Sequence, residues 1–242
     1  DRKVVRRFFH DVNDKEGIRS NSIYSLLVDD RGAVWVGHFQ AGLDYSLYQN
    51  GLFRTYAYPP QFNSANLSIR SFVNRGPEKV IGSRDGLFYI NEATGIVKSF
   101  VKPVLTSDLI LTICFYEGEY YIGTYGGGMM VLNPQTLSLK YFTQGDTELF
   151  QKGHIFCVKP DNRGNLWIGT SQGLFCYNGQ TKQIKNFTST NSQLPEGNVY
   201  EVSFDSTGKG WIATETGMCI YDPASQSLRS NVFPEGFVHK DK

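Results

Sequence analysis

A short motif returns five times along this chain at a nearly fixed spacing, and that period constrains the fold more than any other feature. The segment Trp35-Val36-Gly37-His38 reappears as Val80-Ile81-Gly82-Ser83, Tyr121-Ile122-Gly123-Thr124, Trp167-Ile168-Gly169-Thr170 and Trp211-Ile212-Ala213-Thr214. From the glycine, or Ala213, the steps are 45, 41, 46 and 44 residues. A second marker keeps the same register: Gly42-Leu43, Gly86-Leu87, Gly128-Met129, Gly173-Leu174 and Gly217-Met218. Self-similarity at ~40–45 residues is the signature of a stacked supersecondary unit.

Each unit reads as four short strands. In the fourth they run over His154–Pro160, Asn165–Thr170, Gly173–Tyr177 and Thr181–Phe187, with Gly, Asn, Asp, Ser, Thr and Gln between them. No window holds an apolar period near 3.6 over helical length. Strands such as Ile155-Phe156-Cys157-Val158 are apolar on both faces, as in a sheet sandwiched between two others. The expected fold is all-β: a β-propeller of four-stranded antiparallel blades. The wide residues at the second strand fill the wedge between blades, and the small residues after them let sheets approach.

Three repeats carry a turn before that strand: Asp29 to Gly32, Asp161 to Gly164 and Asp205 to Gly208, each ending three residues before the tryptophan. The carboxylate is expected to cap backbone amides while the glycine takes a positive φ. Repeats two and three replace this turn with Asn74-Arg75-Gly76-Pro77 and Tyr116-Glu117-Gly118-Glu119. An aspartate repeated once per blade is read as a turn device, not as an acid catalyst.

The repeats fall at about 22–57, 67–101, 108–142, 154–187 and 198–231. Before them Val4–Phe9 matches a fourth strand, so residues 1–9 are expected to hold the last strand of a preceding blade. After them Pro234–Val238 resembles Pro195–Val199, so residues 236–242 are expected to begin a following blade. The expectation is a fragment of a larger propeller with five complete blades. Its open ends would expose apolar blade faces that close on themselves or pair with another chain.

The pattern N/G-x-I/V-x-x-[LV], then D-x-x-G-x-[LV]-W-[IV]-G-T-x-x-G-L, fits Asn21–Leu43, Gly153–Leu174 and Gly197–Met218. It resembles the two-component regulator propeller repeat. The resemblance covers nearly the whole chain, with repeats two and three degenerate. It implies a periplasmic sensor region of a hybrid two-component protein, found in gut bacteria that degrade polysaccharides. It further implies an oligosaccharide ligand and a histidine kinase outside these residues.

In a propeller the turns joining second and third strands share one face with the loops between blades. The edges of these turns repeat and serve the fold, while their centres vary and can carry specificity. The ligand-binding candidates are therefore His38, Phe39, Gln40, Arg84, Asp85, Tyr125, Gln172 and Glu215. Phe39 and Tyr125 can stack on a sugar ring, and Arg84 can take an anionic group bidentately. The alternative is a set of solvated turns, with Arg84 paired to Asp85 or Glu215. Gly126–Gly128 can admit a close backbone approach. The longer inter-blade loops Tyr58–Asn66 and Thr143–Lys152 can cap a ligand or form a dimer contact.

Other classes find less support. A glycosidase needs two carboxylates across a cleft, for which Asp85 and Glu215 are the pair on offer. A lyase using His38 and a pure interaction scaffold remain as alternatives. No catalytic residue, metal site or cofactor is assigned: no phosphate-binding loop or metal-spaced histidine cluster is present. The four cysteines, Cys114, Cys157, Cys176 and Cys219, form no C-x-x-C pair and are read as buried thiols. A net charge of +1 gives no reason to expect nucleic acid. No apolar run reaches the ~18 residues of a membrane helix.

Overall fold

A computed structural model describes residues 7–29, 31–46, 52–56 and 67–230. Twenty strands follow one another as five hairpin-connected meanders, each an antiparallel four-stranded sheet. The first blade is β1 (Ile23–Val28), β2 (Val34–His38), β3 (Leu43–Ser46) and β4 (Phe53–Thr55). The second is β5 (Ile69–Arg75), β6 (Glu78–Ser83), β7 (Leu87–Asn91) and β8 (Ile96–Phe100). The third is β9 (Ile110–Tyr116), β10 (Glu119–Thr124), β11 (Met129–Leu132) and β12 (Leu139–Tyr141). A short helix α1 (Thr147–Lys152) precedes the fourth, β13 (Ile155–Pro160), β14 (Asn165–Thr170), β15 (Gly173–Asn178) and β16 (Ile184–Phe187). The fifth is β17 (Val199–Phe204), β18 (Gly210–Thr214), β19 (Met218–Asp222) and β20 (Ser227–Ser230). The fold is the expected all-β propeller architecture.

Two compact units divide at Ile113, within β9. Unit one holds the first two blades and the opening of β9; one of its core clusters gathers Trp35, Leu43, Ile69, Phe72, Ile81 and Phe88. Unit two holds the remainder. Its clusters centre on Tyr121, Phe142 and Phe150, and on Trp167, Phe187, Val199 and Val202. Apolar residues on both faces of the inner strands are used as the sequence suggested: within unit one blade one packs on blade two, and within unit two blade four packs on blade five.

The Asp-to-Gly turn does more than end a strand. Asp161 Oδ1 accepts from the amides of Arg163 at 2.8 Å and Asn165 at 2.9 Å, while Oδ2 accepts from Trp167 Nε1 at 2.9 Å. Asp29 repeats the arrangement, accepting from the Arg31 and Ala33 amides and from Trp35 Nε1 at 3.0 Å. One carboxylate thus closes the hairpin and anchors the indole that fills the wedge. Asp29 Oδ2 also accepts from Asn74 Nδ2 of the second blade, at 2.9 Å. In blade three, Glu117 and Gly118 both take positive φ, 46° and 84°, the two-residue turn that matches strand twist.

Three details differ from the sequence reading. The Thr143–Lys152 segment is not a plain loop: Asp146 caps α1 by accepting from the Leu149 amide at 3.0 Å, and Leu149 and Phe150 are buried. A Cβ on Gly128 would collide with the Phe150 carbonyl, so that glycine admits the helix backbone. Of the expected last strand Val4–Phe9, residues 4–6 lie outside the described residues, and residues 7–9 carry no strand. The Tyr58–Asn66 loop and the Pro234–Val238 segment also lie outside the described residues.

Candidate functional site

The repeated Thr or Ser after Trp-Ile-Gly commits its hydroxyl proton to its own turn. Thr170 Oγ1 donates to the Gly173 carbonyl at 2.8 Å and accepts from the Gln172 amide at 3.0 Å. Ser83, Thr124 and Thr214 close their turns the same way. Blade one departs from this pattern. His38 is buried, its Nε2 lying 2.9 Å from Asp44 Oδ2, and Asp44 also accepts from the Arg19 amide and Nε. Burial raises the Asp44 carboxyl pKa, but the His38 and Arg19 contacts outweigh it and leave the group below its ordinary value. His38 therefore lies inside the blade and does not face the surface of its turn.

A further set of outward-turned side chains comes from a feature the sequence reading missed. In four blades the first strand slips register immediately after its leading Ile or Val: between Ile23 and Ser25, Ile69 and Ser71, Ile155 and Cys157, and Val199 and Glu201. The extra residue is Tyr24, Arg70, Phe156 or Tyr200. A bulge of this kind re-aims one side chain while the strand on either side keeps its pairing.

In unit two these residues join into one strip. Tyr125, from the β10–β11 turn, stacks on His154 with centroids 4.0 Å apart. His154 is followed by Phe156 at 6.2 Å, and Phe156 by Tyr200 at 5.1 Å. The strip ends in polar groups: Asn198 Nδ2 donates to Tyr200 Oη at 3.2 Å and to Glu215 Oε2 at 3.0 Å. Tyr125, Tyr200 and Glu215 are exposed, while His154, Phe156 and Asn198 are half-buried. His154 Nδ1 is buried without a hydrogen-bond partner in the structure.

Unit one has a smaller group of its own. Tyr24 and Phe39 lie 5.3 Å apart, and the Arg70 guanidinium sits 4.8 Å above the Tyr24 ring. Gln40, Arg84 and Asp85 are exposed in their turns. The structure thus brings Tyr125 and Glu215 together through four residues that the sequence reading did not single out, and sets Phe39 beside Tyr24. Gln172 is exposed and lines a separate cleft of about 310 Å³ with Asp146, Phe175 and Ile184. Asp85 and Glu215, the glycosidase pair, fall in different units, and Glu215 is already engaged by Asn198.

Among the described residues there is no cluster suited to a metal ion, and no helix is long and apolar enough to cross a membrane. Burial pushes the Cys114, Cys157 and Cys176 thiols up to about 12 and Cys219 to about 11. None is poised as a nucleophile at neutral pH.

Residues 17–40 and 150–172 match the family model described as two component regulator propeller. Among solved structures, the chain is similar to the extracellular domain of the putative hybrid two component system BT3049 from B. thetaiotaomicron. The two share 24% identity at a TM-score of 0.73, over 88% of this chain and 29% of that one. It is also similar to the extracellular domain of BT4673 from the same organism, at 17% identity and a TM-score of 0.60, over 93% of this chain and 34% of that one. The Cps50 (Swd1) β-propeller domain of Myceliophteria thermophila shares the fold at 11% identity and a TM-score of 0.60, over 91% of this chain and 71% of that one. The chain thus spans about a third or less of the two extracellular domains. No curated protein matches it.

Proposed function

We propose that this chain is part of the extracytoplasmic sensor propeller of a two-component signalling protein. In this reading it binds a carbohydrate-derived ligand along the Tyr125–His154–Phe156–Tyr200 strip and passes the signal to a kinase outside these residues. The observation that carries the reading is the strip itself. Aromatic faces that reach the surface from three blades, ending in an amide and a carboxylate, suit a sugar: its C–H faces stack on the rings, and its hydroxyls donate to the Glu215 carboxylate and to the Asn198 amide oxygen. The matched repeats, and the likeness to extracellular domains named as two-component systems, support the sensor role. Glu215 accepts from the Asn198 amide and side chain, an arrangement that suits binding, and binding without turnover is the favoured outcome.

Calorimetry and thermal unfolding against a panel of neutral and acidic oligosaccharides test this. A ligand at a hundredfold excess over Kd stabilises the native state by about 2.7 kcal/mol. Tyr200→Ala should weaken binding by roughly 1 kcal/mol, the worth of an aromatic stack beyond its buried area. Release of reducing sugar would replace this reading with an enzymatic one. No response to any glycan would reject the carbohydrate ligand.

A further inference from the structure

One arrangement recurs at the head of four blades. The residue that opens each turn between second and third strands donates its amide to the carbonyl just before the first strand: Phe39 to Ser22 at 2.9 Å, Arg84 to Ser68 at 3.2 Å, Ser171 to His154 at 3.2 Å and Glu215 to Asn198 at 2.9 Å. The bulged residue follows two places after that carbonyl, so turn residue and bulged residue stand side by side. In blade one they are Phe39 and Tyr24, with rings 5.3 Å apart. In blade five they are Glu215 and Tyr200, both bonded to Asn198 Nδ2. In blade two the same two places hold Arg84 and Arg70.

Arg84 is exposed and Arg70 half-buried. The Arg70 guanidinium lies 4.8 Å above the Tyr24 ring, and its Nε is buried without an acceptor. Stacking holds this group in place, and the protein supplies no oxygen to its Nε–H. Among the described residues neither arginine forms an ion pair. Asp85 is the nearest acid in sequence; its amide is tied to Ser83 Oγ at 2.9 Å and its side chain is exposed. Two neighbouring cations repel, and an anion between them turns that cost into attraction.

We infer that Arg70 and Arg84 form an oxyanion site, and that it takes a carboxylate or sulfate group carried on a sugar ring that packs against Phe39 and Tyr24. A guanidinium presents N–H donors in a planar fork that matches two oxygens of either group. Phe39 is half-buried and Tyr24 45% exposed, so an apolar face adjoins the cations. A free inorganic anion would use the arginines alone, whereas an acidic sugar uses the rings as well. The inference rests on the reading of the chain as a saccharide-binding propeller, but not on the unit-two strip, whose Glu215 end has the opposite charge.

Calorimetry with trigalacturonate and galactose 6-sulfate, set against galactotriose and inorganic sulfate, tests this, with circular dichroism to confirm that each variant is folded. At least one acidic saccharide should bind more tightly than inorganic sulfate, and more weakly as salt is added. Arg84→Gln, at an exposed turn position, should weaken that binding by about tenfold to a hundredfold, the worth of a hydrogen bond to a charged group. Arg84→Lys keeps the charge without the fork and should recover only part of the loss. Phe39→Ala should weaken the acidic saccharide and leave inorganic sulfate as it was. The site is overturned if neither acidic saccharide binds, if inorganic sulfate binds as tightly as both, or if folded Arg84→Gln binds them as the wild type does. Galactotriose carries no anion and reads the strip alone. A chain that binds it and neither acidic saccharide loses this site and keeps the strip, and Arg84-dependent binding of an acidic saccharide with no galactotriose response does the reverse.

Discussion

Replacing Asp161 by alanine isolates what the turn carboxylate contributes. The substitution leaves the Arg163 amide to water at little cost, because that turn is exposed. The Trp167 Nε1–H is different. The indole is almost fully buried among Phe187, Phe204 and Tyr221, and its one polar atom loses the acceptor at 2.9 Å. An orphaned buried donor costs about 1–3 kcal/mol. Loss of the bonds from the Asn165 amide and side chain adds a smaller amount, for a total of roughly 2–4 kcal/mol. Asp205→Ala removes the equivalent group in blade five, where Trp211 still reaches water, so its effect should be clearly smaller. Urea unfolding followed by circular dichroism measures both. Combining Asp161→Ala with Trp167→Phe, which has no indole N–H, should recover about 1–2 kcal/mol of coupling. Equal midpoint shifts in the two blades, or no coupling in the cycle, would refute the idea that the buried indole sets the cost.

Gly169→Ala should destabilise unit two by roughly 1–3 kcal/mol, since the new methyl meets a backbone carbonyl that cannot turn aside; a neutral result in urea unfolding contradicts that contact. Acid should weaken the fold through Asp29 and Asp44. At Asp29 burial raises the carboxyl pKa, but the Trp35, Ala33, Arg31 and Asn74 hydrogen bonds outweigh it and leave the group low. A carboxyl lowered on folding stabilises above its ordinary pKa of about 4, and that contribution is lost as pH falls through the folded value. Urea midpoints should therefore drop below about pH 4, and less steeply in Asp29→Asn. The four thiols should resist a disulfide reagent at neutral pH until urea unfolds the chain, with half-buried Cys176 the first to yield; rapid native labelling of Cys157 would deny its burial.

The fold could be read in the sequence because its devices are local. Asp161 to Trp167 spans six residues, and Thr170 to Gly173 spans three; each pair closes a turn by its own hydrogen bonds. Local devices repeat in register and so announce themselves. Helix α1 did not, because one capped turn of six residues leaves no period to detect, though Asp146 three places before Leu149 is a start signal. His38 was misplaced because it was judged alone. It stands where other blades have Thr or Ser, and Asp44 stands where they have Phe, Met or Cys. Two departures six residues apart in one blade compensate each other. The strip was hidden for a different reason. Ile155-Phe156-Cys157-Val158 reads as a core strand, and nothing in hydrophobicity separates the buried Ile155 from the re-aimed Phe156. A comparison of the repeats position by position would have shown a large side chain after the leading Ile or Val in four blades, with the choice varying among Tyr, Arg and Phe.

That variation is where specificity can change without cost to the scaffold. The repeated polar side chains are engaged internally: the turn hydroxyls both donate and accept, and the carboxylates of Asp29 and Asp161 each hold a hairpin and an indole. A substitution there loosens a blade before it alters a ligand. A bulged residue has no cross-strand partner to lose, because two residues already oppose one. Tyr24, Arg70, Phe156 and Tyr200 can therefore be exchanged while the pairing on either side persists. The bulges give unit one a cation, Arg70, above Tyr24, and give the unit-two strip the rings of Phe156 and Tyr200. The chemistry presented to a ligand follows from which side chain the bulge turns outward, and the blades that hold it need not move.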